Sequence, residues 1–182
     1  MLRVSGPPAA EALVARKVKK IEQYFLDLRD SKFREAKKKA WNRHDEKGFT
    51  TIPRTLPLIA TLIRHLTKRG DASRAYLDLW GRALYDTGFI VVNDEEEMAD
   101  SCGYGGTRKV RTWRERADVL VDLGFIEIAP KGKRKFGYIF IVHPHDVVQR
   151  LRRGKKVPDW WWSLFDTRIA EIRATLRPEA EE

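Results

Sequence analysis

The spacing of apolar residues switches between the periods of strands and helices within one central region, residues 89–142. Residues 89–92 (FIVV) are apolar throughout, which predicts a short buried strand. Asn93 follows, and Glu96 stands three residues further on, so we expect a helix to begin there with Asn93 as its cap. The carboxylates of residues 94–97 suit the first turn of that helix, because the helix dipole favours anions there.

A second, longer helix is predicted over residues 107–123, after a glycine-containing turn at residues 103–106. Its apolar residues recur at steps of three and four and therefore share one stripe. The members of the stripe are Val110, Trp113, Ala117, Leu120 and Val121. At about 100° per residue, four polar side chains fall on the opposite face. They are Arg108, Arg111, Thr112 and Glu115.

A basic hairpin is predicted to follow this helix. Residues 125–129 (FIEIA) alternate with period two, as a half-buried strand does, and Gly124 is a suitable end for the preceding helix. Residues 130–137 (PKGKRKFG) are predicted to be a turn with four cations, and residues 138–142 (YIFIV) a further strand. A hairpin with so basic a tip is expected to contact phosphates.

This element order, with the phrases WRER at residues 113–116 and LGFI at residues 123–126, resembles the winged-helix DNA-binding domains of plasmid and phage replication initiators and bacterial transcription regulators. The resemblance covers residues 72–148 and concerns the fold. It implies that the second helix enters the major groove and that the hairpin is a wing on the DNA backbone or minor groove. Base reading then falls to Arg108, Arg111, Thr112 and Glu115, whose groups suit base edges. Backbone contacts fall to Lys109, Arg116, Lys131, Lys133, Arg134 and Lys135.

The N-terminal segment is predicted to be a basic helical arm. Pro7 and Pro8 mark the expected start of a helix whose apolar residues keep helical spacing as far as Leu28. Residues 32–43 are dense in cations, with two aromatic residues among them. Either this arm lies along DNA phosphates, or it is a solvated helix face with its aromatic residues packed inward. The candidate phosphate contacts are Lys37, Lys38 and Lys39.

A tryptophan-rich helix is predicted over residues 159–176. Its three consecutive indoles cannot share one face, because successive residues point about 100° apart. One hypothesis is a dimerisation or partner surface, since Trp is enriched among buried interface anchors. The alternatives are that the indoles clamp this helix onto the N-terminal helices, or that they stack on nucleic-acid bases. The candidate interface residues are Trp160, Trp161, Trp162 and Phe165.

Composition favours a polyanion as partner and a reducing compartment. The 36 Lys and Arg exceed the 26 Asp and Glu, for a formal charge of +10. Cys102 is the single cysteine, which excludes an internal disulfide and is more typical of a small buried residue than of a nucleophile. The N-terminus lacks the apolar core of a secretory signal, and the apolar segment 56–66 is too short to span a bilayer. We therefore expect the protein to lie in the bacterial cytoplasm, associated with the nucleoid or a plasmid, and to have no membrane partner.

Motifs for catalysis or metal binding are weak. His143, His145 and Asp146 could hold a metal, but a turn with Asp146 capping a helix over residues 147–153 explains them better. The glycines of residues 103–106 join two helices instead of following a strand, so they do not predict a phosphate-binding loop. We expect that the protein is not an enzyme and that it binds no cofactor, no metal and no small-molecule substrate.

Together these patterns predict a mainly α protein with a small antiparallel β-hairpin wing, a winged helix-turn-helix with added N- and C-terminal helices. We expect a basic arm at residues 1–48, a DNA-binding domain at 49–150 and the tryptophan-rich helix at 151–182. The predicted function is sequence-specific binding of double-stranded DNA by a homodimer that controls transcription or replication of a plasmid, phage or mobile element. Two alternatives stay open: a protein-interaction module, and an RNA-binding or ribonucleoprotein subunit.

Overall fold

The structure is a computed structural model that describes residues 9–40, 48–67, 70–84 and 87–177. The chain divides into two compact units, Met1–Gly48 and Phe49–Glu182. Residues 151–182 thus fall in the same unit as residues 49–150. The described residues are mainly helical with one small antiparallel sheet, as the sequence predicts.

The first unit contains helix α1 (Ala9–Lys32) and the single turn α2 (Ala36–Lys39). The predicted helix is confirmed and continues past Leu28, whereas Pro7 and Pro8 lie outside the described residues. The sequence left open whether the aromatic residues of the arm pack inward. Phe33 does not, because its side chain is exposed.

The second unit alternates helices with the strands of one sheet. In chain order its elements are α3 (Leu56–Leu66), α4 (Ser73–Arg82), β1 (Phe89–Val91), α5 (Glu95–Ser101), α6 (Lys109–Leu123), β2 (Ile126–Lys131), β3 (Arg134–Ile141), α7 (Pro144–Arg153) and α8 (Asp159–Glu171). The predicted order from β1 to β3 is therefore confirmed. The C-terminal helix ends at Glu171, earlier than predicted.

The sheet has the strand order β1-β3-β2, and both pairings are antiparallel. Its inner face consists of isoleucines, because residues directly opposite each other on neighbouring strands point to the same side. Ile139 on the central strand lies opposite both Ile90 and Ile128. With Ile126 and Ile141, these side chains turn toward the core.

The hairpin differs from the prediction of an eight-residue turn. β2 continues through Pro130 to Lys131 and β3 begins at Arg134, so the turn is only Gly132-Lys133, with Gly132 at φ +63°. The sequence suggested a loop because cations are dense there. On an exposed hairpin, however, the backbone can pair while the charged side chains stay solvated.

Two helices begin differently from the prediction. Asp94, and not Asn93, caps α5, because its carboxylate accepts a hydrogen bond from the backbone N–H of Glu96 at 2.8 Å. Asp146 does not cap α7, which begins two residues earlier at Pro144. Pro suits a first helical position because it lacks a backbone N–H. The Asp146 carboxylate instead lies 3.1 Å from Nδ1 of His143.

Large aromatic side chains join α8 to the core of the second unit. Trp161 and Phe165 are fully buried and stack with ring centroids 5.1 Å apart. Nε1 of Trp161 donates a hydrogen bond to the Leu58 carbonyl of α3 at 2.9 Å. On α6, Trp113 is equally buried and meets Phe136 of β3 edge to face. The predicted apolar stripe of α6 is thus confirmed at its centre.

A half-buried histidine, His145, is expected to make the stability of this unit depend on pH. His145 lies 2.8 Å from the hydroxyl of the buried Thr55 and packs edge to face on Phe165. Burial, then the neighbouring His143, lower the pKa of His145, with a smaller effect of Arg177 opposed by Asp146. The fold therefore stabilises the neutral ring. Its contribution is fully present above the ordinary imidazole pKa and is lost as the pH falls below it.

We expect the melting temperature of the full chain to fall between pH 7.5 and pH 5.5, and to fall less in His145→Gln. Scanning calorimetry at both pH values measures this difference. His65, exposed at the end of α3, provides the matched control His65→Gln, which is expected to keep the wild-type fall. An unchanged fall in His145→Gln would show that this ring does not carry the effect.

Candidate nucleic-acid interface

The exposed face of α6 changes sign along its length. Arg108, at the cap position, and Arg111, in the first turn, are exposed. Further along the same face stand three acidic residues: Glu115, Asp118 and Asp122. A polyanion is therefore favoured only at the beginning of the helix, where the backbone N–H groups also favour negative charge.

The four predicted base readers have different surroundings. Arg108 is exposed, and Thr112 is half-buried. Nε of Arg111 donates to Oε1 of Glu115 at 2.9 Å, so these two side chains form an exposed ion pair one turn apart. Glu115 thus orients Arg111, and its own role as a base reader stays a prediction.

Lys109, predicted to contact phosphate, is held between two helices. Its ammonium lies 2.8 Å from carboxylate oxygens of both Glu96 and Asp100 on α5. Hydrogen bonds, first to Asp100 and then to Glu96, raise the pKa of Lys109. The charge of Lys109 is thus balanced within the protein, so a phosphate would compete with these two carboxylates, and the contact with phosphate stays a prediction.

Arg116, also predicted to contact phosphate, packs on the backbone at Gly70. A Cβ atom at position 70 would lie 2.0 Å from Cζ of Arg116, so a larger residue there would force the end of the Arg116 side chain to move. The side chain is half-buried. Arg116 thus lies between α6 and the segment before α4, and its contact with phosphate stays a prediction.

The hairpin cations divide into anchored and free side chains. Arg134 donates to the Asn93 carbonyl at 2.6 Å, which fixes the turn end of the hairpin to the segment after β1. Lys135 pairs with Asp118 of α6. Nζ of Lys131 lies 5.7 Å from the ring centroid of Tyr138. Lys133 is exposed at the tip, and the described part of the chain offers it no ion pair.

The three lysines of the arm belong to the first unit. Lys38 pairs with Glu35 at 3.4 Å, and Lys39 donates to the Arg34 carbonyl at 3.4 Å. The side chain of Lys37 lies outside the described residues. Both described lysines are exposed, so they stay candidates for phosphate contacts.

Charge is concentrated in the first unit. Residues 1–48 hold 13 Lys and Arg against 7 Asp and Glu, whereas residues 49–182 hold 23 against 19. Most of the formal charge of +10 therefore lies in the shorter unit.

A basic segment that our sequence reading missed follows α7. It could have been found as five cations within residues 150–156: Arg150, Arg152, Arg153, Lys155 and Lys156. Arg150 donates to the carbonyls of Leu123 and Gly124 at the end of α6, where cations are favoured by the helix dipole. Arg152 pairs with Asp159 at 2.6 Å. Lys155 and Lys156 are exposed.

The structure corrects the interface assignment for Trp161 and Phe165, because both are fully buried in the core of this chain. Trp162 is partly buried against Phe165 and below the guanidinium of Arg152. Trp160 is 51% exposed and meets His65 edge to face. Only Trp160 of the four presents most of an indole to solvent.

Other candidate chemistry is limited in the described residues. Burial, and more weakly Asp78, raise the pKa of the Cys102 thiol to about 12, which is typical of a small buried residue and not of a nucleophile. Among the residues described, no three His, Cys, Asp or Glu side chains come close enough to share a metal ion. No helix within the described ranges has the length and apolar character needed to cross a bilayer.

Comparison of the chain with protein-family models, with curated proteins and with solved structures gave no match in any of the three.

Proposed function

We propose that this chain is a winged helix-turn-helix protein that binds double-stranded DNA in a sequence-specific manner. One observation carries the proposal. Strand, helix, turn, helix and hairpin follow in this order within one unit, from β1 to β3. Exposed cations occupy the two places that reach DNA in such domains, the start of α6 and the tip of the hairpin. The proposed biological role is control of transcription or replication of a plasmid, phage or mobile element.

The contacts within the protein refine the roles of the side chains. Arg108 and Arg111 are proposed to read base edges, with Glu115 holding Arg111 in position. Lys133 is proposed to bind phosphate at the hairpin tip, with Lys131 beside it. Arg134 is proposed to fix the hairpin for this purpose instead of touching DNA itself.

The acidic helix α5 does not oppose this proposal, because its carboxylates are largely paired. Glu95 pairs with Arg114, and Glu97 lies 3.0 Å from Arg82. Glu96 and Asp100 share Lys109. Pairing reduces the net negative charge that these carboxylates present, so they oppose a phosphate at the start of α6 less than their number suggests.

A second candidate function is RNA binding through the backbone alone. The observation that favours it is the concentration of positive charge in residues 1–48, which carry an excess of six positive charges, against four in residues 49–182. Such binding would be independent of sequence.

Competition on the full chain separates the candidates. The full chain first binds a fluorescent duplex of random sequence. Unlabelled duplex DNA, single-stranded RNA or heparin is then added at equal concentration of anionic groups. The proposal predicts that duplex DNA competes best. Equal competition by all three polyanions supports backbone-only binding, and absence of binding at low salt supports a protein-interaction module.

The hairpin supplies a prediction about salt. Replacing Lys131 and Lys133 together by Ala is expected to weaken binding to every duplex alike, since phosphate contacts carry no sequence information. The slope of log K against log salt should become shallower by about two, roughly one per phosphate contact. Titration at several salt concentrations measures the slope. The matched control is the double variant Lys155→Ala/Lys156→Ala, which removes a second pair of exposed lysines. This variant should leave the slope unchanged.

A further inference from the structure

Two arginines from different helices lie beside the turn that joins α5 to α6. Arg74 belongs to the first turn of α4, and its Nη1 atom would lie 3.6 Å from a Cβ atom at Gly103 of that turn. Arg116 belongs to α6, and its guanidinium lies against the backbone at Gly70. We call Arg74 and Arg116 the arginine pair.

Tyr104 connects the two sides of this site. It directly follows Gly103 in the chain, and its hydroxyl donates to the carbonyl of Asp71, in the segment before α4, at 3.4 Å. Burial raises the pKa of Tyr104 to about 12, and the positive charges of the arginine pair oppose this rise. Both guanidinium groups therefore lie near the same tyrosine side chain.

The positive charge of the arginine pair is not balanced locally. Among the residues that the structure describes, neither guanidinium has an ion pair or a hydrogen bond, although Arg116 is half-buried. The carboxylate of Asp71 accepts a hydrogen bond from the backbone N–H of Ser73 at 2.9 Å. Each guanidinium offers five N–H donors in a planar fork, which matches the oxygens of a phosphate.

We propose that the arginine pair binds one phosphate of the DNA backbone, beside the groove that the start of α6 enters. This inference rests on the proposed function. The major groove is about 12 Å wide, close to the diameter of a helix with its side chains, so phosphates border a helix in the groove on both flanks. Arg116 lies about 100° around α6 from Glu115, and therefore at a flank of the face that carries Arg111.

The surface next to the site favours a nucleic-acid backbone over a free phosphate ion. Arg74 is exposed, and a Cβ atom at Gly105 or Gly106 would have no atom within 4 Å. The turn between α5 and α6 thus faces open space, which allows a long polyanion to pass beside it. A phosphate held between two arginines also fixes the position of the duplex without reading its sequence.

The test is titration of the full chain with fluorescent duplexes at several salt concentrations. Arg74→Ala and Arg116→Ala should each weaken binding to every duplex alike, by at least about fivefold, because each removes a charge-assisted contact with phosphate. The double variant Arg74→Ala/Arg116→Ala should make the slope of log K against log salt shallower by about one in total, since both side chains bind the same phosphate. Its loss of affinity should be smaller than the product of the two single losses.

Three controls accompany the titration. Arg74→Lys keeps the charge and should keep the slope. Arg64→Ala removes an exposed cation from α3 and should change neither affinity nor slope. Calorimetry with inorganic phosphate alone should detect no binding at this site. Because Arg74 is exposed, Arg74→Ala tests the site on folded protein even if Arg116→Ala destabilises the domain.

Several outcomes would overturn the inference. Unchanged affinity and slope in Arg74→Ala would do so while the proposed function stands. A change of about two in the double variant would show that the arginines bind separate phosphates. Binding of inorganic phosphate that Arg74→Ala abolishes, with duplex binding unaffected, would show a site for the free ion. Absence of duplex binding at every salt concentration would overturn both proposals, whereas duplex binding without sequence preference would overturn only the proposed function.

Discussion

Replacing Trp161 by Ala is expected to destabilise the second unit by about 3–5 kcal/mol, because a fully buried indole leaves a cavity that the core cannot refill. The Leu58 carbonyl also loses its hydrogen bond from Nε1. A loss of this size is a large part of the stability of a typical domain, roughly 5–15 kcal/mol. Denaturant unfolding of the two proteins, followed by circular dichroism, measures the difference.

The neighbouring indole supplies the control. Trp160→Ala removes a side chain that is 51% exposed, and we expect a cost of no more than about 1 kcal/mol. Equal costs at the two positions would contradict the packing described for α8.

The second large effect is expected at the start of α6. Arg108→Ala and Arg111→Ala should each weaken binding to the cognate duplex by about 1–3 kcal/mol, roughly 5- to 150-fold. Each should also relax preference at one or two base pairs, because an arginine that bonds to guanine loses its discrimination when truncated. Affinities for the cognate site and for single-base variants measure both effects.

Two variants separate base reading from loss of charge. Arg64→Ala removes an exposed cation from α3 and should leave sequence preference unchanged. Glu115→Gln weakens the partner that orients Arg111 and should have a smaller effect than Arg111→Ala. If Arg108→Ala and Arg111→Ala weakened all duplexes alike, these side chains would be phosphate contacts and not base readers.

The order and type of the elements could be predicted because each carried its own local signal. The apolar stripe around Trp113 has helical period, and Gly124 ends the helix with φ +78°, in the left-handed region. The extent of the hairpin could not be predicted, because pairing of β2 with β3 depends on contacts between strands. Local cation density at residues 130–137 pointed to a loop instead.

Local sequence patterns could not predict which groups surround each cation. Lys109 is paired because α5 packs against α6, and Arg116 is half-buried because Gly70 passes beside it. Spacing within one helix shows which side chains share a face, but not which other element meets that face. The sequence therefore could not show which cations are already paired within the protein.

The exposure of Phe140 was missed for a related reason. Residues 138–142 are apolar at every position, so their sequence has no alternation that would show which side of the strand is exposed. Only the register with Phe89 and Glu127 shows that Phe140 lies away from the core.

The central claim is that this chain reads the sequence of double-stranded DNA. Its most direct test is repeated selection from a pool of random duplexes by the full chain at physiological salt, with sequencing after each round. We expect enrichment of a defined motif, and loss of that enrichment in the combined variant Arg108→Ala/Arg111→Ala. A pool that stays random after several rounds, while the chain still retains duplexes at low salt, would contradict sequence-specific binding.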